Sequence, residues 1–320
     1  MFDSEDETLT HKDGVARRGL LKCMAWAGTG VVWTLAGGVA SSALLGEARA
    51  ADRKAARVTF VQISDTHIGF DKAANPDTMG TLNAAIDQIR AMPEKPAFLI
   101  HTGDISHLSK AEEFDAADQA LKSLGLPIFR TPGEHDTLDE GHGKLFLDRF
   151  GAGTKGDGWY SFDHGGVHFV ALVNVVNLQP DGRGSLGADQ LAWLKKDLEY
   201  LPASTPVVVF AHMPLWDLYG PWGWGTIDAD QAMAALRRFG SVTVLNGHIH
   251  QVIEKVEGNV SFHTARSTAY PQPAPGTAPS PGPLKVPADQ LRSVLGVREL
   301  TWKPGRGPLA LVDTSLAQPV

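Results

Sequence analysis

Five short clusters of acids and histidines carry the chemistry of this chain, and each follows an apolar run almost at once. VTFVQIS leads to Asp65-Thr66-His67 and AFLIHT to Gly103-Asp104. PIFRTP leads to Gly133-Glu134-His135-Asp136, VVVFA to His212, and VTVLN to Gly247-His248-Ile249-His250. Carboxylates and imidazoles together suit Mn, Fe or Zn. Asp65, His67, Asp104, Glu134, His212, His248 and His250 are too many ligands for one ion, so two metals sharing a carboxylate is the economical arrangement. Singly, each piece is weak. A lone histidine after a strand is ordinarily a hydrogen-bonded one, which is the expectation for His101, His107, His142, His164, His168 and His263. A lone aspartate before a loop is ordinarily a cap.

The elements that must position these residues follow from periodicity. VTFVQI (58–63), AFLI (97–100), PIF (127–129), VHFVALV (167–173), PVVVF (206–210) and VTVL (242–245) are short and rich in β-branched or aromatic residues. Several are continuously apolar, as strands buried on both faces are. Between them, Leu82, Ala85, Ile86 and Ile89 mark one face of a helix, as do Phe114, Ala117, Leu121 and Leu124, and Leu191, Leu194, Leu198 and Leu201. A fourth helix is predicted from Asp228, with Met233, Leu236 and Phe239. Strands alternating with helices predict an α/β layered sandwich, central mixed β-sheets flanked by helices. In open α/β sheets ligands bind beyond the carboxyl ends of the strands, so five polar clusters at five such ends converge on one site. Gly103, Gly133 and Gly247 each precede a candidate ligand or ligand pair, where the strand must turn sharply and let backbone approach.

The ordered set D-x-H, G-D, G-N-H-[DE], H, G-H-x-H resembles the calcineurin-like metallophosphoesterases, over about Asp65 to His250. Four of the five elements match outright. Gln190, Leu191, Trp193 and Leu194 also look like the Q-L-x-W-L helix of secreted and cyclic-nucleotide members. The resemblance implies that Asp65, His67 and His250 hold a first metal, His212 and His248 a second, and that Asp104 bridges them. It implies a hydroxide held between the metals that attacks phosphorus in line. His135 would assist the leaving group and Asp136 would orient His135. The position of Glu134 is normally Asn, which binds the second metal. Either Glu134 turns away and a ligand is lost, or its carboxylate takes the same place one methylene further out. Ligation is favoured, because a carboxylate is the more strongly attracted to a cation. Its charge repels a phosphomonoester dianion more than a diester monoanion and favours a higher oxidation state such as Fe(III).

The N-terminus reads as an address. Arg17-Arg18-Gly19-Leu20-Leu21-Lys22, an apolar run from Cys23 to Gly46, and Ala48-Arg49-Ala50 resemble a twin-arginine export signal with its cleavage site. The run is also long enough for one membrane-anchoring helix, but its glycines and small-residue end favour cleavage. Domains are then a signal peptide at 1–50, a metallophosphoesterase domain at 51–270, and a Pro-rich linker with a C-terminal extension at 271–320. Localisation is periplasmic or secreted, the twin-arginine machinery is a partner, and no membrane span is retained. Cys23 is the single cysteine, so the chain from Ala51 has no thiol for catalysis or disulfides. A formal charge of -7 and the lack of a basic stripe argue against nucleic acid as a partner.

PLWDLYGPWGWGTI (214–227) places Trp216, Tyr219, Trp222 and Trp224 just after His212. It reads equally as an aromatic lid over the substrate or as a self-packed loop. The function read from the sequence is an exported dinuclear metal-dependent phosphoesterase, preferring diesters, acting on a small phosphate ester. The alternative is a non-catalytic exported metal-binding protein on the same scaffold.

Overall fold

The computed structural model describes residues 31–36, 39–44, 57–305 and 308–317. In the first of two units, Val31–Ala36 (β1) pairs antiparallel with Val39–Leu44 (β2). Arg17, Arg18 and 48–50, on which the export reading rests, lie outside the described residues. No helix among the described residues is long and apolar enough to cross a membrane.

The second unit is built on strands whose two faces are both apolar. In Val58–Ile63 (β3), Phe60 points into a core shared by two sheets, while Val61 and Ile63 point into a helix-facing core. In Val207–Phe210 (β8), Val208 and Phe210 face the other sheet, and Val207 and Val209 face helices. Successive strand residues alternate faces, so a continuous apolar run is what a strand between two cores requires.

One sheet has five strands, in the order Ala310–Ser315 (β13), Gly296–Trp302 (β12), β3, Leu99–His101 (β4) and Ile128–Arg130 (β5), with β4 and β5 parallel to β3. The other has six, in the order β10-β11-β9-β8-β7-β6. Val167–Ala171 (β7), β8, Val242–Asn246 (β9) and Val260–Thr264 (β11) run parallel, flanked by antiparallel Tyr160–His164 (β6) and Glu254–Glu257 (β10). Thr78–Arg90 (α1), Ala111–Lys122 (α2) and Lys144–Phe150 (α3) cover the first sheet. Ala188–Leu198 (α4) and Ala229–Leu236 (α5) cover the second. The sandwich has the predicted layers.

The domain boundary expected at residue 270 is not where the fold ends. After the short helix Leu291–Val294 (α6), Gly296–Trp302 (β12) pairs antiparallel with β3 and with Ala310–Ser315 (β13). The segment read as an extension therefore contributes an interior strand. Arg298 on β12 is 1% exposed and its guanidinium clasps Asp313 of β13, Nε to Oδ1 at 3.0 Å and Nη2 to Oδ2 at 2.8 Å. It also donates to the carbonyl of Thr264, linking the two sheets. Removing one partner strands a buried charge. Asp313→Ala is expected to cost about 3 kcal/mol in denaturant unfolding, and a change below about 0.5 kcal/mol would mean the pair is solvated.

Candidate metal centre

Each predicted ligand sits where a strand runs out, and at five of the seven the backbone turns left-handed. Asp65, His67, Asp104, His248 and His250 have φ of 53°, 40°, 53°, 69° and 55°. Such conformations cost a non-glycine residue on the order of 1 kcal/mol each and persist where the surroundings over-determine them. The loops after β3 and β4 are laced together, with His67 N donating to the Asp104 carbonyl at 2.9 Å and Asp65 N to that of Gly103 at 3.0 Å. Gly103, at φ 94°, lies so close to His212 that a Cβ would stand 2.5 Å from its Nδ1. Only glycine lets these strand ends converge.

The seven side chains meet in two triads with Asp104 between them. Asp65, His67 and His250 form one, and Glu134, His212 and His248 the other. Asp104 Oδ2 stands 3.4 Å from His67 Nε2 and 3.5 Å from His212 Nε2, within reach of both. Glu134 has not turned away. Its Oε2 is 2.7 Å from His212 Nε2 and its Oε1 is 2.9 Å from His248 Nδ1. Glu134 Oε2, His212 Nε2 and His248 Nδ1 are nevertheless buried without a hydrogen bond. His212 and His250 donate from Nδ1 to the carbonyls of Thr102 and Tyr270, and a carbonyl can only accept. Their Nε2 lone pairs are left facing the carboxylates, as in imidazoles arranged to bind a metal.

The charges agree with that fit. Burial works against the ionised form of Glu134, but His248 and His212 outweigh it and hold its pKa well below the ordinary value. Burial likewise opposes charge on His212, yet Asp104 and Glu134 raise its pKa well above normal. Three buried carboxylates demand cations, and two metal ions satisfy the orphaned lone pairs that the histidines cannot satisfy among themselves.

His135 and Asp136 lie within a single turn of 3-10 helix, Glu134–Thr137. His135 Nδ1 donates to the carbonyl of His107 at 2.7 Å, which leaves its Nε2 as the free ring nitrogen. Burial disfavours its cation, but Asp104 and Glu134 overcome this and raise its pKa. Asp136 does not hold the His135 ring. Its carboxylate accepts the N–H groups of Ile105, Ser106 and Gly133 and the Ser106 hydroxyl, so it is fully engaged with backbone and serves the loop. Burial and Asp104 push its carboxyl up to about 7 against those donors. The expectation that Asp136 orients His135 is corrected: the His107 carbonyl does so.

Residues 58–252 match the sequence model of the calcineurin-like phosphoesterases. The chain belongs to that family. As a calcineurin-like phosphoesterase it is a metal-dependent phosphoric ester hydrolase with a dinuclear centre. It is 26% identical to a 3′,5′-cyclic-nucleotide phosphodiesterase of Nostoc sp., over 67% of this chain and 79% of the relative. It is 24% identical to a glycerophosphodiester phosphodiesterase of Enterobacter lignolyticus, over 67% of this chain and 78% of that one. A dimetal phosphatase from Danio rerio shares the fold, with a TM-score of 0.58 at 16% identity over 81% of this chain and 99% of the other.

The phosphoesterase centre opens into a cavity of about 600 Å³. His67, Asp104, Glu134, His135, His248 and His250 form its floor. The Trp-rich loop packs on itself and also lines the cavity. Trp216 packs on Phe262, and Tyr219, Trp222 and Trp224 meet edge to face. Yet Trp222 and Trp224 also face the cavity, with the Trp224 ring edge-on to His248. The Pro-rich stretch is likewise more than a linker. Pro281, Gly282, Pro283 and Lys285 line the cavity, and Gln272 ties the stretch to the His248 carbonyl at 2.8 Å.

Two site residues escaped the sequence reading. His107, expected to be an ordinary hydrogen-bonded histidine, lines the cavity and lies flat on His135. Tyr270 stacks on His67, with centroids 4.8 Å apart, and its carbonyl holds His250. The third-residue spacing of His107 from Asp104 was the one available signal.

Proposed function

We propose that the protein is an exported phosphodiesterase for small phosphate diesters, with Mn, Fe or Zn at its two metal places. One observation carries this reading: the Glu134 carboxylate lies against both His212 and His248, adding a full negative charge at the cavity floor. That charge penalises the second charge of a monoester more than the single charge of a diester. The names of the cyclic-nucleotide and glycerophosphodiester relatives support the same class. A cavity of this size suits a small organic ester.

Bound metals would supply an oxygen nucleophile at neutral pH and neutralise charge on the phosphoryl oxygens. Asp65, His67 and His250 would hold one ion, Glu134, His212 and His248 the other, and Asp104 both. His135, when protonated at its free Nε2, would donate that proton to the departing oxygen. The walls formed by Trp222 and Trp224 exclude water from one side of the ester and offer it an aromatic surface.

The chain beginning at Ala51, loaded with Mn or Fe, is expected to hydrolyse bis(p-nitrophenyl) phosphate with at least about tenfold higher kcat/KM than p-nitrophenyl phosphate. His135→Ala is expected to lower kcat on alkyl diesters about 100-fold. Bound metal without turnover on any diester would sink the reading. Export through the twin-arginine machinery predicts a mature N-terminus at Ala51, read by mass spectrometry. Arg17→Lys with Arg18→Lys should retain the uncleaved chain in the cytoplasm, and normal export of that variant would refute the route.

A further inference from the structure

One histidine outside the ligand set touches both halves of the site. The loop that carries His107 is fixed from beneath by buried Glu113, whose Oε2 accepts the N–H groups of His107 at 3.2 Å and Leu108 at 2.7 Å. Ser109 clasps the facing turn, its hydroxyl donating to the His135 carbonyl at 2.8 Å and accepting from Leu138 N at 2.8 Å. From this scaffold the His107 ring lies on the His135 ring, with centroids 4.8 Å apart and planes 18° from parallel. The same ring turns its Nδ1 to Nδ1 of His67, 3.4 Å away.

That second contact follows the wiring of two other ligand imidazoles, His212 and His250, whereas His248 presents Nδ1 to Glu134. His212 and His250 each give their Nδ1 proton to a backbone carbonyl and present Nε2 to the cluster. His67 also presents Nε2, 3.3 Å from His250 Nε2 and 3.4 Å from Asp104 Oδ2. Its proton therefore sits on Nδ1, where no carbonyl waits; the acceptor is the His107 ring. His107 then carries its own proton on Nε2.

We propose that His107 is a positioning residue that couples a metal ligand to the proton donor: its Nδ1 fixes the tautomer and plane of His67, and its ring face fixes His135. The His135 half rests on the phosphodiesterase reading above; the His67 half stands on geometry alone. The backbone carbonyl that holds His135 Nδ1 survives any substitution at 107, so only the ring's two roles are tested, and they separate. Phenylalanine keeps the stacked face and loses the acceptor. Glutamine keeps an acceptor and loses the face.

The experiment compares the metal-loaded protein with His107→Phe and His107→Gln. Metal release into excess chelator is followed by elemental analysis. Turnover is followed on bis(p-nitrophenyl) phosphate, whose leaving group needs no proton, and on 3′,5′-cyclic AMP, whose alkoxide does. His107→Phe should release metal about 10- to 100-fold faster, the usual loss when an outer-shell partner is removed. His107→Gln should hold metal within about threefold of the wild type. It should lose about tenfold in kcat on cyclic AMP at unchanged KM and keep its rate on the nitrophenyl diester. Wild-type metal release by His107→Phe overturns the His67 half whatever the substrate. An undiminished cyclic AMP rate in His107→Gln overturns the His135 half. A shared large fall in the melting temperature of both metal-free variants makes His107 a structural residue and overturns both. A wild type without turnover removes the diesterase reading while metal release still judges the contact with His67.

Discussion

Asp104→Ala is expected to abolish hydrolysis, lowering kcat/KM by about 10⁴-fold or more, equivalent to at least ~5 kcal/mol of transition-state stabilisation. Asp104 stands between the two triads, 3.4 Å from His67 and 3.5 Å from His212. Its other oxygen accepts the backbone N–H of His135 at 2.9 Å, so the same carboxylate also seats the turn that carries the proton donor. Alanine removes one of the cluster's three negative charges and the carboxylate that lies between the two metal places, so metal content should fall from two ions toward one. Asp104→Asn separates these effects, because it keeps an oxygen for His135 N but not the charge. Loss of activity in both variants, with the His135 turn intact in the asparagine form, locates the effect in metal bridging. An alanine variant with more than about a tenth of the wild-type rate at saturating metal is incompatible with a dinuclear mechanism.

How much of this was legible in the sequence follows from where the information lies. The seven candidate ligands that the fold gathers were legible because a strand buried on both faces is continuously apolar, and Asp65, Asp104 or His212 just beyond it breaks that pattern sharply. The groups that orient them were not. His212, His250 and His135 are held by the carbonyls of Thr102, Tyr270 and His107, and a carbonyl has no side-chain signature. Asp136 looked catalytic because it adjoins His135, but adjacent residues in a 3-10 turn point different ways, and it found four donors behind the site. The pairing of β12 with β3 joins residues more than 230 positions apart, as with Leu300 opposite Phe60. Local periodicity names a strand but not its neighbour. The proline-rich stretch showed only that it is neither helix nor strand; that Pro281 and Pro283 wall the cavity is a property of the path between two fixed ends.

Glu134 offers the second large effect, and the one that distinguishes this member from the asparagine pattern. Glu134→Ala is expected to cost the second metal place an oxygen ligand and to lower activity about 100-fold or more, with weaker binding of one of two ions in metal titration. Glu134→Asn is the sharper test, because it restores a neutral amide while removing a charge that faces both His212 and His248. At ~5 Å, one unit of charge acting on the second charge of a monoester is worth ~0.8 kcal/mol at the dielectric of water and ~3 kcal/mol at an effective value of 20. The ratio of monoester to diester kcat/KM should therefore rise by about tenfold in Glu134→Asn, within limits of about fourfold and somewhat above a hundredfold. The shift should shrink little with added salt, since the side chain is only 23% exposed and lies at the cavity floor. An unchanged ratio would mean that the bound cations already cancel the carboxylate, and selectivity would then belong to the walls of the cavity, where Trp222 and the proline-rich stretch are the groups to replace next.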